Sequence, residues 1–158
     1  MAKYYTRRYT RFSTKQFDGL TEFQRKFINM LMCDGKKTVA RKIFEDAKAI
    51  IEKKEKLKFG EVFEAAMHNT SPVMEVRSKR VAGASYQVPF EVKENRRKML
   101  AAQWMIGFAR KKKGPMAKKL AAELLSAANG EGEAVKKKDE MHRMAEANRA
   151  FAHFARYA

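Results

Sequence analysis

The sequence has little of what disulfide-stabilised or membrane-spanning proteins need. Its one cysteine, Cys33, excludes an internal disulfide framework and favours a reducing compartment. The longest uncharged run in a strongly apolar segment, Met99–Ala109, has 11 residues, whereas a membrane-spanning helix needs about 20. The opening residues also lack the apolar block of a secretory signal. We therefore interpret the uncharged run as a buried helix and expect no membrane partner.

Sequence motifs of catalysis are absent as well. The chain has no Walker loop, no dinucleotide-type glycine pattern, no nucleophile-elbow serine and no zincin motif. His142 and His153 would lie about 16 Å apart on one helix, which is too far to share a metal ion. Cys33 has no partner at a metal-ligand spacing. The sequence therefore predicts a protein that is not an enzyme, with no metal site, no cofactor and no small-molecule substrate.

Acidic residues are scarce relative to basic ones. The chain has 35 Lys and Arg against 18 Asp and Glu, and its net charge is +17. Such a chain condenses onto polyanions, so nucleic acid is the first partner to consider, an anionic membrane surface the second and an acidic protein the third. Residues 93–119 alone carry +9 and residues 1–20 carry +4, whereas residues 120–158 are neutral. This distribution predicts a local binding surface and a protein-facing C-terminal side.

The hydrophobic spacing predicts one mainly α-helical domain of about six helices over residues 21–158. Thr21–Gln24 has the spacing of a capping box, which marks the start of the first helix. Asp34–Lys37 ends that helix with a turn, and Pro72 ends the third helix. The predicted apolar stripe of the second helix is Val39, Ile43, Phe44, Ala47, Ile50 and Ile51.

The helical period resumes after residue 92 and predicts the last three helices. Leu100, Trp104, Met105 and Phe108 mark the apolar face of the fourth helix. Pro115 suits the first position of the fifth helix. The sixth helix is predicted to run from about Ala134 to Phe151.

A period of two replaces the helical period within residues 73–92. Tyr86, Val88, Phe90 and Val92 alternate with polar residues or proline, and the string "RVAGA" supplies a turn. The pattern predicts a two-stranded β-hairpin. At about 3.3 Å per residue its strands would project roughly 25–30 Å, beyond a helical body. Such a hairpin is suited to reaching a partner.

Residues 1–20 are predicted to form an extended basic N-terminal arm, separate from the helical domain. Tyrosine and phenylalanine alternate with its arginines, and aromatic side chains so placed can stack on unpaired bases. This composition favours irregular RNA over duplex DNA. An organelle transit peptide has a similar composition and is the alternative interpretation.

Basic residues cluster in four places, and lysine and arginine contacts to phosphate give affinity with little sequence discrimination. The clusters are Lys3, Arg7, Arg8 and Arg11 in the arm; Lys36 and Lys37 at the first turn; Arg77, Lys79 and Arg80 on the hairpin; and "ENRRK" and "RKKKG" on either side of the fourth helix. Four clusters in one chain predict a nucleic-acid-binding surface.

Four strings resemble the bacterial-type small-subunit ribosomal protein seven family. They are "FINMLMCDGKKTVARKI", "PVMEVRSKRVAGASYQVPFEV", "RRKMLAAQWMIGFAR" and "GEAVKKKDEMHRMAEANRAFAHF". They cover residues 27–154 in the family's order, and the hairpin string and "HRMAEANRAFAH" are the most specific. The resemblance implies a six-helix domain with a protruding hairpin and no enzymatic activity.

The resemblance also implies a function in translation. Family members bind the 3′ major domain of small-subunit rRNA, nucleate assembly of the head and lie near the exit-site tRNA and the mRNA path. The implied protein partners are small-subunit ribosomal proteins nine and eleven, and the implied location is a bacterial-type cytoplasmic ribosome, with an organellar ribosome as the alternative.

Carried onto this chain, the resemblance and the basic clusters give two sets of candidate residues. The rRNA-binding candidates are Lys3, Arg7, Arg8, Arg11, Lys36, Lys37, Arg77, Lys79, Arg96, Arg97, Lys98, Arg110, Lys111, Lys112 and Lys113. The candidates near tRNA or mRNA are Arg80, Val81, Ala82, Gly83, Arg143 and Arg149.

Three features depart from the family pattern. Ala82 stands where the family usually has glycine, the arm is richer in tyrosine and phenylalanine than usual, and the chain ends in "FARYA" instead of an aromatic–Arg–Trp sequence. Two other functions stay open as alternatives, a helical chromatin-type DNA-binding protein and an RNA-modifying enzyme. The first would bind duplex DNA as well as RNA, and the second would need a catalytic pocket.

Overall fold

A computed structural model of the chain describes residues 19–55, 58–81 and 83–157. It confirms the predicted fold class, because these residues are mainly α-helical and include an antiparallel hairpin. The α-helices are α1 (Glu22–Leu31), α2 (Lys37–Glu55), α3 (Phe59–Thr70), α4 (Glu94–Lys111), α5 (Met116–Ala128) and α6 (Glu133–Ala147). The strands are β1 (Met74–Val81) and β2 (Ala84–Glu91), and a 3-10 helix (Arg149–Tyr157) follows α6. Residues 1–18 of the predicted arm lie outside the described residues.

The capping box at the start of α1 is confirmed. The Thr21 N–H donates to Gln24 Oε1 at 3.0 Å, and the Gln24 N–H donates to Thr21 Oγ1 at 3.3 Å. These two bonds satisfy amide groups that have no partner within the helix. The turn after α1 contains Asp34 at φ +51° and Gly35 at φ +71°. Two successive residues in the left-handed region reverse the chain so that α2 can pack against α1.

The helical core is built around phenylalanine rings from α1, α2 and α3. The rings of Phe27 and Phe63 are nearly perpendicular, with centroids 5.4 Å apart, and those of Phe44 and Phe59 are 5.3 Å apart. Each such buried side chain contributes about 1.5–3 kcal/mol of transfer free energy. Leu120 of α5 is fully buried in the same core. The apolar periodicity therefore predicted most of the packing faces.

Two details of the helix prediction were wrong. Val39 was placed on the apolar stripe of α2 but is 52% exposed, because buried Ala40 and Phe44 form the face that packs. Pro115 was placed inside the fifth helix but is its N-cap, with an extended backbone at ψ 136°. The helix begins one residue later, at Met116.

The sixth helix ends earlier than its sequence predicted. α6 stops at Ala147, and Asn148 caps it by donating from its side-chain amide to the Met144 carbonyl at 2.7 Å. Asparagine competes for backbone partners in this way and therefore favours helix ends. The chain continues as the 3-10 helix, which turns the rings of Phe151 and Phe154 onto Tyr86 of β2.

The hairpin forms within the predicted residues and is fixed to the helical body at its base. β1 and β2 pair in antiparallel register from Met74 opposite Glu91 to Val81 opposite Ala84. Val88 and Val92 are buried, and the Val73 N–H donates to His142 Nε2 of α6 at 2.9 Å. No helix of the described residues is long and apolar enough to cross a membrane.

Candidate nucleic-acid interface

α4 separates two groups of basic residues by its own length. Arg96 and Lys111 are 15 residues apart, or about 22 Å at 1.5 Å per residue. We call Arg77, Arg96, Arg97 and Lys98 the hairpin-base group, and Lys36, Lys37 and residues 110–113 the loop group. The structure therefore brings together clusters that are distant in sequence and leaves two groups at opposite ends of one helix.

The hairpin-base group is organised by a buried carboxylate, Glu75. Glu75 is 4% exposed and lies on β1. Arg96 Nε donates to its two oxygens at 2.9 and 3.1 Å, and the guanidinium of Arg77 also pairs with it. Both arginine side chains are about half exposed. They neutralise Glu75 and still present N–H groups to solvent.

The other two cations of the hairpin-base group also have acidic partners. Arg97 Nε donates to the Val92 carbonyl at 2.7 Å, and its Nη2 lies 3.2 Å from Glu91 Oε1. Lys98 Nζ lies 2.6 Å from Glu94 Oε1, and this hydrogen bond lowers the pKa of Glu94. Four cations thus face three carboxylates. The hairpin-base group keeps one net positive charge.

The loop group is assembled by Arg110, the residue that joins α4 to the first turn. Arg110 Nη2 donates to the Leu31 carbonyl and to Cys33 Sγ, each at 3.1 Å. These contacts satisfy a free carbonyl at the end of α1. A small cavity of about 150 Å³ has both Lys36 and Arg110 in its wall. The two clusters that were separate in sequence therefore form one surface.

The loop group keeps more of its charge than the hairpin-base group. Lys112 pairs with Glu123, which is fully buried and also accepts from the Ala134 N–H at 3.3 Å. Lys36 and Lys113 are exposed and have no carboxylate partner among the residues that the structure describes. Lys119 Nζ donates to the Lys112 carbonyl at 2.8 Å and adds a further cation to the loop.

The hairpin candidates differ in their surroundings. Lys79 Nζ donates to the Phe154 carbonyl at 2.9 Å, so this lysine holds the 3-10 helix against the hairpin. Arg80 is exposed and makes no ion pair within the described part of the chain. Gly83, at φ +88°, provides the left-handed residue of the turn. Ala82 and the side chain of Val81 lie outside the described residues.

The remaining candidates lie on α6, on the 3-10 helix or outside the described chain. Arg143 is exposed on α6. Arg149 is exposed, and its Nη1 lies 3.4 Å from Glu146 Oε1. The arm residues Lys3, Arg7, Arg8 and Arg11 lie outside the described residues and stay predictions.

Two residues of this surface were missed by the sequence analysis. The sequence pattern could have identified Glu75, because this residue precedes Arg77 by two positions on a strand and can share a face with it. It could not have identified Gln103, because one exposed glutamine on a helix has no distinctive pattern. Its position between the two basic groups emerges only from the fold.

The fold and the charged surface define a class, a helical nucleic-acid-binding protein with a β-hairpin. The family model of ribosomal protein S7p/S5e matches residues 3–149. The small ribosomal subunit proteins uS7 of Thermotoga maritima and Syntrophomonas wolfei are 56% and 52% identical to the chain over 130 residues. These alignments cover 82% of this chain and 84% and 83% of the relatives. The uS7 protein of Chlorobium phaeovibrioides is 58% identical over 131 residues, with 82% and 84% covered.

The chain belongs to the ribosomal protein S7p/S5e family. This membership confirms the resemblance noted in the sequence. The family consists of structural ribosomal proteins, so the prediction that the chain is not an enzyme is also confirmed. The RNA-modifying alternative is thereby removed.

Proposed function

We propose that this chain is a structural protein of the small ribosomal subunit that binds rRNA during translation. Its relatives carry the name of a small-subunit protein and align with most of the chain. The observation that supports rRNA binding best is the loop group, whose Lys36 and Lys113 have no carboxylate partner in the described structure. Exposed, unpaired cations are the groups that gain most from phosphate contact.

The finer proposal is that the chain binds the 3′ major domain of small-subunit rRNA and nucleates assembly of the head. The hairpin tip around Arg80 and Gly83 then lies near the exit-site tRNA and the mRNA path. Small-subunit ribosomal proteins nine and eleven are the protein neighbours, and residues 1–20 act as a basic arm beside the domain of residues 21–158. The ribosome is of the bacterial type and cytoplasmic.

The test is binding to a transcript of the 3′ major domain as a function of salt. Lys36→Ala combined with Lys113→Ala should weaken binding and reduce the slope of log K against log salt by about 0.7–0.9 for each phosphate that the variant no longer neutralises. The control combines Lys48→Ala with Lys136→Ala, because these exposed lysines lie outside both basic groups and pair with nearby glutamates. The control should lose less affinity.

The same assay separates rRNA binding from the chromatin-type alternative. The wild-type chain should bind the 3′ major domain more tightly than a scrambled RNA or a DNA duplex of equal length. Equal affinity for all three would contradict the specific proposal. Co-sedimentation with small ribosomal subunits tests the coarser proposal independently.

A further inference from the structure

α4 exposes one uncharged ridge between the two basic groups. Met99, Gln103 and Gly107 follow at intervals of four residues, which places them on one side of the helix. The opposite side is buried through Ala101 and Met105. Met99 is 48% exposed at one end of the ridge. The helical body therefore leaves this ridge unpartnered.

Gln103 has an available amide at the centre of the ridge. The side chain is exposed and makes no hydrogen bond to any residue that the structure describes. A glutamine amide can donate two hydrogen bonds and accept two. A groove of about 320 Å³ between α1 and α4 runs beside it and is lined by Met30, Gln103, Ile106, Gly107 and Arg110.

Gly107 is not required by the packing of the free protein. A Cβ atom built on Gly107 meets nothing within 4 Å, and its backbone is ordinary helix. Glycine is the poorest helix former apart from proline. A glycine at such a position instead permits the close approach of an external partner.

We propose that this ridge binds the minor groove of an A-form RNA duplex, an inference that rests on the proposed rRNA-binding function. The minor groove of A-form RNA is wide and shallow, and it displays 2′-hydroxyl groups and base edges. Gln103 bonds to these groups, Met99 contacts a sugar face, and Gly107 lets the backbone of the duplex approach α4.

Charge complementarity identifies RNA as the occupant. Arg96 and Arg110 each lie seven residues from Gln103, or about 10 Å along the helix axis. An uncharged centre with cations at both ends matches a groove of sugars and base edges bordered by two phosphate strands. An apolar protein partner would not require cations at both ends of the ridge.

The test uses Gly107→Leu, Gln103→Leu and the 3′ major domain transcript. Gly107→Leu should keep the fold, because the added Cβ meets nothing within 4 Å, and should weaken RNA binding by steric exclusion; circular dichroism checks that the variant is folded. Gln103→Leu should weaken binding roughly threefold to tenfold, the usual effect of removing a hydrogen bond. Gly60→Leu is the matched control, because Gly60 is exposed, helical and likewise without neighbours within 4 Å of its Cβ. It should bind like the wild type.

A second probe examines the 2′-hydroxyl interaction. A transcript with 2′-deoxy substitution in the helix that the protein protects from hydroxyl radicals should bind wild-type protein less tightly. Gln103→Leu should be insensitive to that substitution, because leucine cannot bond to the 2′-hydroxyl in either transcript. Protection confined to unpaired nucleotides would overturn the duplex assignment.

The outcomes separate this inference from the proposed function. If wild-type protein fails to bind the transcript selectively, the proposed function fails. If it binds and Gly107→Leu binds equally well, only the ridge proposal is overturned. Loss of binding to small-subunit ribosomal protein nine or eleven in Gly107→Leu, with RNA binding intact, would also overturn it and assign the ridge to a protein.

Discussion

Glu75 is the residue at which the hairpin and α4 are joined. Its buried carboxylate forms ion pairs with Arg77 of its own strand and with Arg96 of α4. A buried carboxylate needs such partners, because removing an ion from water costs several kcal/mol. The two arginines therefore stabilise the fold and still present N–H groups to solvent.

Replacing Glu75 should distinguish its contribution to stability from its effect on RNA affinity. We expect Glu75→Gln to lower the free energy of unfolding by about 1–2 kcal/mol, because charge-assisted hydrogen bonds are removed but the half-exposed arginines are screened by water. RNA affinity should rise, because one negative charge is removed beside the interface. Urea unfolding followed by circular dichroism and filter binding measure the two quantities. Glu94→Gln is the control and should raise affinity with little loss of stability; equal losses in both variants would contradict the prediction.

His142 connects α6 to the chain that enters the hairpin. Its Nε2 accepts the Val73 N–H, so this nitrogen carries no proton. Burial lowers the pKa of His142, and Lys138 lowers it further, while Asp139 acts in the opposite direction. Protonation would replace an acceptor by a second donor and break the hydrogen bond.

The stability of the protein should consequently depend on pH through His142. The unfolded chain takes up the proton first as pH falls, since the folded-state pKa lies below the ordinary value of 6.5. The contribution of His142 to the free energy of unfolding is complete above pH 6.5. It declines as the pH falls from that value to the folded-state pKa. Melting temperatures between about pH 7.5 and 5.5 measure the effect. His142→Gln should remove this part of the slope and His153→Gln should retain it; identical slopes would refute the assignment.

The hairpin is the element whose role changes most once its neighbours are known. Its tip is exposed at Arg80, but the strand behind the tip is attached to the 3-10 helix. Lys79 bonds to the Phe154 carbonyl, and Tyr86 lies 5.2 Å from Phe151 and 5.3 Å from Phe154 between ring centroids. The C-terminal segment therefore supports one side of the hairpin and sets its direction.

Arg80→Ala and Lys79→Ala should differ in their effects: the first should weaken binding, and the second should lower stability. Arg80→Ala should leave the melting temperature unchanged and weaken binding to tRNA or to the small subunit, because its exposed side chain makes no ion pair with a described residue. Lys79→Ala should cost about 0.5–1.5 kcal/mol of stability by removing the hydrogen bond to Phe154. Hydrogen exchange of the amides in residues 149–157 should increase in Lys79→Ala and not in Arg80→Ala. Faster exchange in both variants would show that the tip is also structural.

The molecule as a whole carries far more positive charge than it can pair internally. Lysine and arginine outnumber acidic residues by 17, and part of the acidic set is already used in the hairpin-base group. Like charges repel within a compact fold, and this repulsion is screened by salt. The free protein is therefore less stable than its core alone would make it, and an RNA partner relieves the repulsion.

Stability should rise with ionic strength. We expect the melting temperature to increase as NaCl is raised from about 0.05 M to 0.5 M, because the Debye length shortens across this range. RNA affinity should fall over the same range through loss of counterion release. A melting temperature that falls with salt would show that ion pairs such as Glu75 with Arg96 outweigh the net repulsion. Sodium sulfate at equal ionic strength tests for specific anion binding.

Local patterns predicted much of the fold. The capping box at Thr21, the turn at Gly35 and the alternation around Val88 each specify their element through neighbouring residues alone. The C-terminal end of α6 was not predicted, because the choice between α-helix and 3-10 helix after Asn148 depends on packing against Tyr86. Val39 was misassigned because a periodic stripe is wider than the face that the neighbouring helices cover.

The candidate site was only partly accessible to sequence reasoning. Composition and charge identified the basic clusters, because the number of charges does not depend on the fold. Which of these cations lack a carboxylate partner does depend on the fold. Lys112 and Glu123 are 11 residues apart in sequence, and Arg110 reaches the end of α1 across 79 residues. Such long-range pairs cannot be read from local spacing.

The sequence by itself determined the class of fold, the excess of positive charge and membership of the ribosomal protein S7p/S5e family, because these follow from local periodicity, composition and characteristic strings. Tertiary structure decided that Lys36 and Arg110 lie on the same surface, that Glu75 pairs with two arginines and that Gln103 faces outward between the basic groups. The physical reason is that ion pairing and exposure depend on distances between side chains, and only the folded chain fixes those distances.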